Sequence, residues 1–154
     1  MVFALFPSCY RVCRFSRIST RRGMVANMAS VPGVLVHLCG AEEWSRARSR
    51  GGIHLDGCGA ASKAAFIHLS TLEQVHLPAN RLYRSRTDLI LLYIDPSELD
   101  SPVRWEPGVA TDPESMLFPH LYGPLPVRAV IRVTPYLPGP DGTFPPVAGF
   151  QDAT

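Results

Sequence analysis

The chain has 154 residues, 46% of them hydrophobic and 18% charged, which is apolar enough to exclude a disordered chain and long enough for one domain with a core but not for two. No apolar run approaches the ~20 residues that cross a bilayer. The net charge of +2 arises in the first 23 residues; from Met24 onward ten basic groups face thirteen acidic ones, about −3 by subtraction, so bulk charge argues against a nucleic-acid partner.

Residues 1–33 combine Arg11, Arg14, Arg17, Arg21 and Arg22 with the apolar VFALF, imitating a targeting peptide without a long apolar run or an A-x-A cleavage site. Met24 and Met28 offer later starts for translation, so this segment is expected to be a mis-started or disordered extension. Cys9, Cys13, Cys39 and Cys58 form no C-x-x-C pair, which suits reduced thiols in the cytoplasm. VLVHL, residues 34–38, predicts a first strand entered through Pro32-Gly33. Residues 40–50 predict a short helix anchored by Trp44 and stopped by Gly51-Gly52. The small residues from Gly57 to Ala61 predict a mobile loop or a close backbone approach. Residues 65–69 predict a second strand, after which Ser70 and Glu73 have the spacing of a helix-starting capping box. Pro78 suits the first turn of a renewed helix reaching about Tyr83. LILLYI, residues 89–94, predicts a central strand buried on both faces. A short strand over 103–106, a polar loop over 107–117 and a last strand over 127–134 follow, and the Pro- and Gly-rich residues 137–154 predict a loose tail. This order predicts an α+β fold, with a single domain over residues 34–136.

Alternation along strands places Phe66, His68 and Ser70 on one face, opposite Ile67 and Leu69; His37 falls with Leu35 and Cys39, and Arg104 with Glu106. Three strands thereby offer polar groups to a common cleft. FPHLYGPLP, residues 118–126, fixes several torsions through its prolines and predicts a preset loop presenting His120 and Tyr122. Plainer readings stand beside these: structural hydrogen-bonded histidines, Glu106 paired with Arg104, Arg81 and Arg84 on a solvated helix face, and Tyr122 packed on the sheet. His37-x-Cys39 is the one tightly spaced pair of metal donors, and no metal is expected. No G-x-S-x-G elbow, G-x-G-x-x-G or P-loop is present.

VHL at 36–38, FIHLS at 66–70, NRLYR at 80–84, LLYID at 91–95, RWE at 104–106 and FPHLYGPLP at 118–126 together resemble the bacterial family called domain of unknown function 952, over about residues 34–136. That family is placed in the ADP-ribosyltransferase-like superfamily, so the resemblance implies split antiparallel sheets around an NAD-binding cleft. It implies that His37 contacts the ribose of NAD and that His68, as in RNA 2′-phosphotransferases, helps to hold the ligand. Glu106 is the acid available to stabilise a developing ribosyl cation. Ser70, Arg81, Arg104, His120 and Tyr122 are the expected ligand-binding residues, with arginines serving phosphate recognition. NAD is then a substrate, its acceptor and the oligomeric state stay open, and the competing expectation is a non-catalytic ligand-sensing or interaction module.

Overall fold

The computed structural model of the protein describes residues 33–55, 66–108 and 116–148; the expectations for the N-terminal extension, for Gly57 to Ala61, for most of the polar loop and for residues 149–154 lie outside these. Strand β1 (Leu35–Gly40) runs straight into helix α1 (Ala41–Ser49), which places Glu42 and Glu43 in its first turn and Arg46 and Arg48 in its last, matching the helix dipole. Trp44 and Ala47 form the buried side of that helix. The short strands β2 (Gly52–Ile53) and β3 (Ile67–His68), helix α2 (His76–Leu82) and strand β4 (Leu89–Ile94) follow. The chain then forms β5 (Val103–Pro107), β6 (Leu117–Leu121), β7 (Leu125–Pro126) and β8 (Val130–Pro135). The architecture is α+β, as the element order predicts.

Two antiparallel three-stranded sheets organise the fold, one ordered β1-β4-β8 and the other β3-β6-β5, with β2 and β7 forming a separate pair. β4 is central in the first sheet, and its alternation fills both sides. Leu92 and Ile94 join Leu35, Trp44, Ile67, Leu69 and Leu121 in one cluster. Leu89, Leu91 and Tyr93 join Val36, Leu72, Val75, Tyr136 and Phe144 in the other. LILLYI is thus buried on both faces, as its unbroken apolar character requires. The two sheets meet where the backbones of Val36 and Ser70 exchange two hydrogen bonds of 2.9 Å.

The sequence pattern misleads in four places. FPHLYGPLP does not form a loop throughout: its first four residues lie in β6, the central strand of the second sheet. Pro119 is tolerated there through its carbonyl, which accepts from the Leu69 N–H at 2.8 Å, although proline lacks a donor of its own. Ser70 starts no helix; its backbone is committed to Val36, and α2 begins only at His76, with Pro78 in the first turn as expected. Residues 127–129 form a 3-10 turn, so the last strand starts at Val130. The segment from Leu137 to Ala148 is held rather than loose, because Phe144 is 2% exposed and its backbone pairs with the Asn80 amide.

Candidate functional site

Cross-strand register assembles the site. His68 on β3 lies opposite His120 on β6, which lies opposite Arg104 on β5, and directly opposed residues in a sheet share a face. Alternation adds Phe66, Tyr122 and Glu106 to that face. Ile67, Leu121 and Val103 form the next row and point the other way, where Ile67 and Leu121 belong to the core and Val103 packs against it. The second sheet therefore has one apolar side and one side bearing two imidazoles, three other aromatic rings (Phe66, Phe118 and Tyr122), an arginine and a carboxylate.

These groups are in contact. His68 Nδ1 lies 3.3 Å from His120 Nε2, and His120 Nδ1 lies 3.1 Å from Glu106 Oε2. The Tyr122 hydroxyl donates to the same Oε2 at 2.7 Å. Phe66 stacks on His120, with ring centroids 4.1 Å apart and planes 13° from parallel, and meets His68 edge-on at 5.0 Å. The Arg104 guanidinium sits 4.6 Å from the centre of the Tyr122 ring, a cation–π distance. His120 is 2% exposed, whereas His68 and Arg104 are open to solvent.

The electrostatics follow from these contacts. Hydrogen bonds from Tyr122 and then His120 hold the Glu106 carboxyl below its ordinary pKa, and the same bond pushes the Tyr122 phenol up. His68 is exposed overall, yet its ring packs on Phe66 and His120. That partial burial, followed by proximity to His120 and His37, holds its pKa down. His37 is 5% exposed, and burial lowers its pKa, so the ring is neutral at pH 7.

His37 joins the group through backbone: its Nδ1 donates to the His68 carbonyl at 2.8 Å across the junction of the sheets. Its Nε2 is buried and has no hydrogen-bond partner among the described residues. Of the expected residues, His68, Glu106, His120, Tyr122 and Arg104 come together, and His37 adjoins them. Ser70 is buried at the junction itself. Arg81 stands instead on α2, the helix whose Ala79 packs in the cluster with Phe144. Phe66 is the residue that sequence reasoning passed over, although its parity with His68 was the available signal. Glu106 pairs with Tyr122 and His120 rather than forming a simple ion pair with Arg104.

Among the described residues there is no group of three or more His, Cys, Asp or Glu side chains arranged to hold a metal ion, and no helix is long and apolar enough to cross a membrane.

Comparison with known proteins adds relatives without adding an activity. Protein CC0527 from Caulobacter crescentus, in its crystal structure, is similar to this chain at 29% identity and a TM-score of 0.59, over 73% of this chain and 93% of that one. Its solution NMR structure gives 30% identity and a TM-score of 0.58, over 72% and 90%. No curated protein matches the chain. Residues 38–133 match the family described as Protein of unknown function (DUF952). With that match spanning more than half its length, the chain belongs to the DUF952 family.

Proposed function

We propose that the chain binds NAD or a related nucleotide where the two sheets meet, and transfers or hydrolyses its ADP-ribose unit. The observation that carries this reading is His37. Its Nδ1–H is spent on the His68 carbonyl, so its buried Nε2 is an acceptor left without a donor among the described residues. An unmet buried acceptor costs about 1–3 kcal/mol, and a ribose hydroxyl is a donor of the right kind to relieve it. The two small antiparallel sheets, joined beside this histidine, agree with the split-sheet cleft that the family resemblance implies. Arg104 and the aromatic face around it supply a cation and ring surfaces suited to phosphate and base.

A second reading, a non-catalytic ligand-sensing or interaction module, is favoured by Glu106. Its Oε2 already accepts from both Tyr122 and His120, so the carboxylate is engaged before any ribosyl cation forms. Calorimetric titration of the purified chain with NAD and with ADP-ribose, together with a nicotinamide-release assay, separates the two. Binding with release supports the enzyme, and binding without release supports the module. No binding of either ligand at millimolar concentration would exclude the NAD reading in both its forms. His37→Ala should weaken binding about tenfold, the equivalent of one lost hydrogen bond.

A further inference from the structure

We propose that Glu106 and His120 form a relay behind His68 that leaves His68 Nε2 as a general base, and that the group receiving ADP-ribose is accordingly a hydroxyl, of water or of an alcohol. The inference rests on the nucleotide reading for its electrophile alone; the relay stands on its own geometry.

With a neutral His120, the chain of contacts fixes the protons. An ionised carboxylate only accepts, so His120 Nδ1, 3.1 Å from Glu106 Oε2, carries hydrogen. In a neutral ring His120 Nε2 is then an acceptor, and His68 Nδ1, 3.3 Å away, must donate to it. That leaves the His68 lone pair on Nε2, on a side chain open to solvent. Phe66 holds the arrangement: it lies nearly parallel to His120 and at 82° to His68, and the two imidazoles stand at 86° to each other. Tyr122 fixes the far end by donating to Glu106. Among the described residues, the titratable groups that act on His68 are His120 from β6 and His37 from β1, with Glu106 and Arg104 of β5 next beyond His120. Glu106, the one anion among them, reaches His68 through His120, by its 3.1 Å contact with His120 Nδ1.

Such a base identifies its substrate by need. A carboxylate acceptor is already an anion and requires no proton removal. An amine or guanidinium arrives protonated and is repelled by Arg104. A neutral hydroxyl requires the base. As the hydroxyl oxygen bonds to C1 of the nicotinamide ribose, the C1–N bond breaks and its electron pair leaves with neutral nicotinamide. The hydroxyl proton passes to His68 Nε2 and from there to solvent. The net change is NAD and an alcohol, or water, giving the ADP-ribosyl product, nicotinamide and one proton. His68 is the catalytic residue in this step; His120 and Glu106 are positioning residues.

Ring-nitrogen NMR, acceptor and variant kinetics, and chemical modification test it. Ring-nitrogen NMR of the labelled wild-type chain should show His68 and His120 both in the Nδ1–H form. Finding His68 as the Nε2–H form overturns the relay whether or not NAD binds, and needs no variant to fold. Nicotinamide release in the presence of glycerol should yield glyceryl ADP-ribose. Glu106→Gln should lower kcat about 100-fold with little change in KM and move the acid limb of the pH profile to lower pH. Unchanged kcat in Glu106→Gln, or transfer to a carboxylate peptide in preference to glycerol and water, overturns the proposal. If NAD fails to bind, the nucleotide reading falls and the base is judged by diethyl pyrocarbonate. His68 should then react faster than His54 and slow about tenfold in Glu106→Gln; a His68 no faster than His54 overturns it.

Discussion

Asn80→Ala should release the C-terminal segment from the domain. In the wild type the Asn80 amide donates to the Phe144 carbonyl at 3.0 Å and accepts from the Phe144 N–H at 2.7 Å, closing a two-bond clasp across 64 positions of sequence. Phe144 itself lies in the cluster with Tyr136, Leu91 and Tyr93, and the Tyr136 hydroxyl donates to the Pro145 carbonyl at 2.6 Å. Truncation at Asn80 removes both bonds and leaves two backbone groups to find water. Each bond contributes about 1 kcal/mol net and each group left dry costs about 1–3 kcal/mol. Because Asn80 is only half-buried, water reaches part of the vacated space, so the expected loss is ~2 kcal/mol. For a domain of this size that lowers Tm by roughly 5–10 °C. Thermal unfolding followed by circular dichroism measures the shift, and limited proteolysis shows whether cleavage within 137–148 becomes faster. A Tm within 2 °C of wild type with unchanged proteolysis would refute the clasp as the source of order in this segment.

A Cβ at Gly52 would lie 2.3 Å from the Leu125 carbonyl oxygen, which is backbone of β7, so Gly52→Ala should cost about 1–3 kcal/mol; a urea midpoint within error of wild type would contradict this close approach. The pKa values of His37 and His68 are both held below the ordinary histidine value, so the unfolded chain takes up protons more readily than the folded one. Stability should be fully present above about pH 6.5 and decline as pH falls through the folded values, a slope that His37→Gln should reduce; a Tm flat or rising from pH 8 to pH 5 would contradict it.

What was legible in the sequence depended on how local the cause is. LILLYI announces its place because burial on both faces requires apolar residues at every position. The pairing of β1 with α1 was equally plain, since Pro32-Gly33 and Gly51-Gly52 bracket the two elements and Trp44 supplies the anchor. The parity of residues 66–70 gave the right orientation of His68. β6 was hidden because proline argues against a central strand, and only the three-dimensional pairing shows that Pro119 is used for its carbonyl. Residues 137–148 mislead for a related reason: their composition is that of a loop, and the clasp that orders them belongs to Asn80 on a distant helix. The relay itself lies beyond local reasoning, because His68 and His120 are 52 positions apart and meet only through strand register.

That register sets what change the second sheet can accommodate. A residue inserted within 66–70, or within 117–121, would turn His68 or His120 toward the apolar cluster and bring Ile67 or Leu121 to the solvent face, exchanging chemistry and core in one step. Length added between strands leaves the alternation untouched. Drift among relatives in this region should therefore appear as loops of unequal length between strands whose internal spacing does not vary. Counting residues within the strands is then a surer guide to a shared site than overall identity.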